Sequence, residues 1–177
     1  MEETRFLLDT AVYLPSPNFD TRPNEEDISL VVIHGISLPP GKFGGSAVED
    51  FFCNKLNFNE DISYVEIANL KVSAHLYIKR NGDTIQFVPF NKRAWHAGVS
   101  EFKGREACND FSIGIELEGT DDVVYTAEQY KSLSTALSSI ATMYPAIKKE
   151  SIVGHEHIAP GRKTDPGKFF DWSKIKF

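Results

Sequence analysis

The order of apolar and polar positions separates the chain into strands and helices. Over residues 28–36 the run ISLVVIHGI sets Val31, Val32 and Ile33 side by side, as in a strand covered on both faces. Over 110–119 the run DFSIGIELEG alternates. Phe111, Ile113, Ile115 and Leu117 point one way, and Ser112, Gly114, Glu116 and Glu118 the other. Residues 71–90 read as a hairpin turned at Asn81-Gly82, the strongest short-range hairpin signal. In its first arm Ala74, Leu76 and Ile78 share one face, and Ser73, His75, Tyr77 and Lys79 the other.

The period becomes helical over 126–147. Tyr130, Leu133, Leu137, Ile140 and Ala141 recur at core-facing spacing, Thr126 with Glu128 and Gln129 forms a capping signature, and Pro145 stops the helix. A second amphipathic helix is expected over 46–58 with Ser46 as N-cap. Residues 5–14 read as a short opening strand or extended arm, and residues 171–177 as a closing segment docked on the body. The proline-bearing stretch 16–24, the stretch 37–45 (SLPPGKFGG) and the aromatic stretch 91–104 read as loops. This order of elements predicts a single domain, residues 1–177, of α/β (α+β) class with a central mixed β-sheet flanked by helices.

Composition narrows the possible roles. The net charge is −6 and no run is basic, which argues against a nucleic-acid partner. No apolar stretch approaches the ~20 residues of a membrane helix, and no obligate protein partner is evident. The acidic first residues lack the basic start and apolar core of a signal peptide, so a cytoplasmic location is expected. Cys53 and Cys108 form no C-x-x-C and are expected as two thiols rather than a bridge.

The chemistry concentrates near the end of the chain, in SIVGHEHIAPGRKTDPG. His155 follows a short apolar strand, and Asp165 returns on the loop after it. His34, at the end of the strongest strand, supplies a third group. Two imidazoles and one carboxylate with one position left open are the ligand set of a catalytic zinc, so one Zn²⁺ held by His34, His155 and Asp165 is expected. His75 and His157 are substitutes by spacing, and His34 taken alone also suits a core histidine bonded to a carbonyl. Water activated by such a site needs a base, Glu116 or Glu118, and a donor for the developing oxyanion, Lys163. Trp95 and His96 suit the wall of a sugar or peptide groove, and equally a loop anchored on the core by Trp95, while His75 suits a structural hydrogen bond more than a pocket lining.

The segments VVIHGISLPPGKFGG, VSAHLYIKRNGDTIQFVPFNKRAWHAGVS, GREACNDFSIGIELEG and GHEHIAPGRKTDPG together resemble the 1,6-anhydro-N-acetylmuramoyl-L-alanine amidases, within the zinc amidase and peptidoglycan recognition protein group. The likeness covers about residues 5–175. It implies a mixed sheet with a zinc cleft, and hydrolysis of the lactyl–L-alanine amide of anhydromuropeptides in cytoplasmic peptidoglycan recycling, which lowers the signal for β-lactamase induction. It implies His34, His155 and Asp165 as ligands, Glu116 rather than Glu118 as base, and Lys163 as oxyanion stabiliser. Gly35 departs from the asparagine expected after the first ligand. Lys71 and Ala107 stand where arginine is expected to hold a peptide carboxylate, with Arg105 near enough to compensate. The alternatives are a non-catalytic peptidoglycan-binding module and an amidase acting on intact cell wall. Loss of a ligand or base would mark the first, and an export signal or wall-binding repeat the second.

Overall fold

In the computed structural model, which describes residues 3–176, ten strands and three α-helices are arranged around one six-stranded sheet. The strands are β1 (Val12–Tyr13), β2 (Phe19–Thr21), β3 (Leu30–Ile36), β4 (Leu76–Ile78), β5 (Thr84–Gln86), β6 (Lys92–Ala94), β7 (Glu101–Phe102), β8 (Arg105–Glu106), β9 (Ser112–Glu118) and β10 (Ile152–Gly154). The helices are α1 (Ala47–Phe52), α2 (Ala127–Met143) and α3 (His155–Ile158). The main sheet runs β1-β5-β4-β9-β3-β10, with β2–β6 and β7–β8 as separate ribbons. It is mixed: β4, β9, β3 and β10 are parallel, β5 runs against β4, and β1 lies parallel to β5.

The period-2 patterning of β3 and β9 explains the layers. Val31, Ile33, Ile113, Ile115 and Leu117 pack on one face against Tyr130, Leu133, Leu137 and Ile140 of α2. On the other face Leu30 and Val32 meet Ala97, Cys108, Phe111 and Ile158, while Tyr77 joins Val48, Phe51, Phe52 and Phe87 around α1. All seven residues of β9 are buried because it lies between β4 and β3, so it is an inner strand rather than a solvated edge. Its polar residues therefore face the protein on the side away from α2.

The expected elements shift in several places. The opening segment holds a 3-10 turn, Glu3–Phe6, and only two strand residues. The loops over 16–24 and 91–104 contain β2 and β6, which pair outside the main sheet, and the second also holds β7. Phe111 packs with Leu30 and Val32 rather than with Ile113, since β9 begins only at Ser112. Helix α1 stops at Phe52, where Asn54 turns left-handed at φ 58°, and Ser46 bonds Asp50 rather than capping a backbone N–H. Ala74 packs with the α1 cluster, not with Leu76 and Ile78, since the pleat begins only at Leu76. The capping box of α2 forms as read: Gln129 N–H donates to Thr126 Oγ1 at 3.1 Å, and Thr126 N–H donates to Gln129 Oε1 at 3.1 Å. Cys53 and Cys108 are free and buried.

Candidate metal centre

Two parallel strands bring the imidazoles together. Gly154 of β10 lies beside Ile33 of β3, so His155, the next residue, emerges level with His34 at the carboxyl ends of both strands. Ligand sites in parallel sheets favour these ends. The chain turns into α3 at His155 and returns through a tight loop, in which Ala159 O accepts from Arg162 N at 3.1 Å and Lys163 N at 3.0 Å. Glu156 N–H donates to Asp165 O at 3.0 Å, and Tyr125 Oη donates to Pro166 O at 2.9 Å, which fixes the carboxylate from both sides. The two Nδ1 atoms of His34 and His155 lie 2.9 Å apart. Asp165 Oδ2 lies 3.2 Å from the first and 3.1 Å from the second.

The proton inventory of this triangle calls for a cation. His155 Nε2 lies 3.1 Å from Ala97 O, which only accepts, so Nε2 carries the hydrogen and Nδ1 presents a lone pair. Burial pushes His34 down to about 4, against the hydrogen bond and charge of Asp165, so its ring is neutral. Burial alone would raise Asp165, but the two imidazoles set against it, His155 and then His34, hold it well below the usual carboxylate range. At most one N–H, that of His34, is then shared among three converging acceptors. Two imidazole nitrogens and a carboxylate oxygen aimed at one point fit a borderline-soft divalent ion such as Zn²⁺.

Glu116 pairs directly with His34 across β9 and β3, so the two side chains stand on one face of the sheet. Burial, and then the charge of Asp165, raise its pKa well above the carboxylate range, while Lys163 pulls it back. Its Oε2 is buried with no hydrogen-bond partner among the described residues. Glu118 differs. One oxygen accepts from Gly44 N and the other from Arg80 N at 2.9 Å, so it ties the loop over 37–45 to the hairpin. Lys163 is exposed, two residues before Asp165, and close enough for its charge to act on both His34 and Glu116.

The other candidates fall elsewhere. His75 is a buried structural histidine: its Nδ1 accepts from Gly114 N at 3.0 Å and its Nε2 faces Lys92 O at 3.0 Å. His157 is exposed and accepts from Gly154 N at 2.9 Å, away from the triangle. His96 does not wall a groove. It is 9% exposed and lies behind His34, its ring nitrogens on His34 and Ser112. Trp95 is half-buried with its side chain on Asp20. Arg105 pairs with Asp27 at 2.7 Å and stacks 3.8 Å over Phe111, so its charge is engaged. Lys71 is exposed. Ala107, left-handed at φ 59°, lines a groove of about 610 Å³ with Val99, Ser100, Ile158, Pro160 and Arg162, next to α3.

Sequence reasoning missed Tyr125. A Cβ on Gly35 or Gly119 would overlap its ring or hydroxyl, so two glycines make room for the side chain that bonds Pro166 O. The signal was present in Gly35, whose missing side chain leaves that room, but its meaning depends on a residue 90 positions away.

A family profile described as N-acetylmuramoyl-L-alanine amidase (Amidase_2) matches residues 24–168. The 1,6-anhydro-N-acetylmuramyl-L-alanine amidase AmpD of Haemophilus influenzae is 54% identical over 168 residues, which cover 95% of this chain and 91% of that protein. The crystal structure of a selenomethionine AmpD derivative superposes with a TM-score of 0.93 at 52% identity, over 96% of this chain and 94% of that one. A complex of the Escherichia coli amidase AmiD with anhydro-N-acetylmuramic acid-L-Ala-D-γ-Glu-L-Lys superposes with a TM-score of 0.60 at 32% identity, over 84% of this chain and 56% of that one.

Proposed function

The chain belongs to the N-acetylmuramoyl-L-alanine amidase family, and from that premise we propose that it hydrolyses the amide between the lactyl group of a 1,6-anhydro-N-acetylmuramyl sugar and the L-alanine of its stem peptide, with one Zn²⁺ held by His34, His155 and Asp165. The observation that carries the reading is the convergence of two Nδ1 atoms and one carboxylate oxygen that share at most one proton. The likeness to AmpD over nearly the whole of both chains supports the anhydro sugar as substrate. We place the reaction in cytoplasmic peptidoglycan recycling, where removal of anhydromuropeptides lowers the signal for β-lactamase induction.

When bound, Zn²⁺ supplies Lewis acidity that brings the pKa of water to about 7. Glu116 takes the proton that the attacking water gives up and passes it to the departing alanine nitrogen, leaving a lactyl carboxylate and a free peptide amine. Its buried, unpartnered Oε2 and raised pKa suit a group that takes up and returns one proton. Lys163 Nζ donates to the carbonyl oxygen as negative charge develops there. The groove beside α3, closed by the Arg162 bonds to Ala97 O and Val99 O at 2.6 Å, suits the stem peptide. Arg105, held by Asp27, and Trp95, on Asp20, take no part in this reading, and Lys71 is left as a peripheral contact.

The test is direct. Purified protein is expected to hold about one zinc per chain, to release L-alanine-ended peptide from an anhydromuropeptide, and to lose turnover to a chelator. Offered side by side, the reduced muropeptide is expected to be cut more slowly. Equal rates would remove the recycling assignment and leave the amidase standing. Full activity in metal-free protein would remove the zinc.

A further inference from the structure

His96 and Ala97 together touch both imidazoles of the triangle, from the side opposite the metal face. His96 Nδ1 lies 2.9 Å from His34 Nε2, and His96 Nε2 lies 3.1 Å from Ser112 Oγ. The next carbonyl, Ala97 O, lies 3.1 Å from His155 Nε2 and also accepts from Arg162 at 2.6 Å. The backbone N–H groups of His96 and Ala97 both donate to Asn109 Oδ1, at 3.1 and 2.9 Å. The ring of His96 fits because Gly114 lacks a Cβ, which would overlap Cγ and stand 2.6 Å from Nδ1.

We propose that His96 is a positioning residue that fixes the tautomer of His34, as Ala97 O fixes that of His155, so that one dipeptide clasped by Asn109 turns both Nδ1 lone pairs toward the metal. The proposal rests on the zinc reading above. One hydrogen must lie between His34 Nε2 and His96 Nδ1. Placed on His34, it leaves Nδ1 of His34 bare, and His96 then donates its own Nε2–H to Ser112 Oγ, which accepts. Placed on His96, it forces the hydrogen of His34 onto Nδ1, into the face where the ion would sit. Metal-bound histidines ordinarily donate their other N–H to a carboxylate or carbonyl, and loss of that acceptor weakens metal binding. Here a neutral imidazole takes the acceptor's place. His96 cannot be a ligand itself, since its Nδ1 meets His34 on the ring edge opposite the triangle.

The experiment is a chelator-competition titration of zinc against wild type, His96→Phe and His96→Asn, read as affinity rather than turnover. The Phe variant keeps the ring shape without the acceptor and is expected to bind zinc roughly 10–100-fold more weakly. The Asn variant, whose Oδ1 stands where Nδ1 stood and replaces the acceptor, is expected to recover most of that loss. A Phe variant as tight as wild type, or an Asn variant as weak as Phe, overturns the proposal. Should the Phe variant not fold, the zinc-loaded wild type decides by ¹⁵N NMR: a through-hydrogen-bond coupling between His34 Nε2 and His96 Nδ1, with the proton on His34, is expected, and its absence refutes the claim. A wild type that takes up no zinc removes the zinc reading and this inference together, whereas wild-type binding matched by the Phe variant removes only this inference.

Discussion

Glu116 and Glu118 stand two residues apart on the same face of β9, and only their surroundings separate them. Alternation placed both correctly but could not rank them, because what ranks them is where Gly44 N–H and Arg80 N–H arrive from distant loops. Glu116→Gln is expected to keep zinc at wild-type stoichiometry and to lower kcat by roughly 10²–10⁴, the usual worth of a general acid–base; metal analysis beside steady-state kinetics checks it. Glu118→Gln is expected to spare chemistry but to lower stability by about 1–3 kcal/mol. An amide NH₂ would face a backbone donor in place of an acceptor, leaving a buried group unsatisfied, and urea denaturation measures the cost. That His34, His155 and Asp165 belong together was legible because ligand chemistry restricts residue types so strongly, and the fold brings their side-chain atoms to one point. His96 was read as a groove wall because the stretch AWHAG has no period that tells an inward ring from an outward one.

At the scale of elements, legibility followed length. The seven-residue strands β3 and β9 and the 17-residue helix α2 carry enough periods to be read, along with which face each buries. Strands of two or three residues, such as β1, β2 and β7, carry too few, and what defines each is the partner strand it pairs with. Helix α1 was read too long because Phe58 continues an apolar pattern that Asn54 has already broken with a left-handed turn. In β9 the spacing Ser112, Gly114, Glu116 gives the strand an empty slot between two polar side chains, and His96 fills it. Gly114→Ala is therefore expected to cost about 1–3 kcal/mol, as overpacking of a full interior does, and to weaken zinc binding as His96 is pushed off His34. A thermal melt and the same chelator titration check the two halves. Thr126→Ala, which opens the capping box of α2 and loses the bond to Arg80 O, is expected to cost about 1 kcal/mol with zinc affinity unchanged.

For the molecule as a whole, the sequence implied a mixed sheet under helices but not its strand order. That order depends on contacts such as β3 beside β9 and β10, between segments far apart in the chain. Those contacts bury His75 and His96 as neutral rings, and this gives the fold a pH dependence. Burial, and then the nearby Arg22, hold His75 well below the ordinary imidazole value. A second proton would have to sit on Nδ1, facing Gly114 N–H at 3.0 Å, donor against donor. Burial likewise holds His96 well below that value. Above about pH 6.5 both rings are neutral folded or unfolded and contribute nothing to the slope. As pH falls below it, the unfolded chain takes up protons that the folded chain refuses, so stability falls, by on the order of 1 kcal/mol per pH unit for each ring. Asp20 and Asp165, both held low, act in a lower window: their stabilisation is present above about pH 3.8 and fades as pH drops through their folded values. Glu116 opposes the trend, because its raised pKa lets the folded chain take a proton first and gain stability on acidification. The measurement therefore belongs in metal-free Glu116→Gln protein, by urea denaturation at pH 7.5, 6.5 and 5.5. Stability is expected to change little from pH 7.5 to 6.5 and to fall from 6.5 to 5.5. Adding His75→Asn, which keeps an acceptor for Gly114 N–H, is expected to remove up to one proton from the slope; a slope left unchanged would mean the protons are taken up elsewhere.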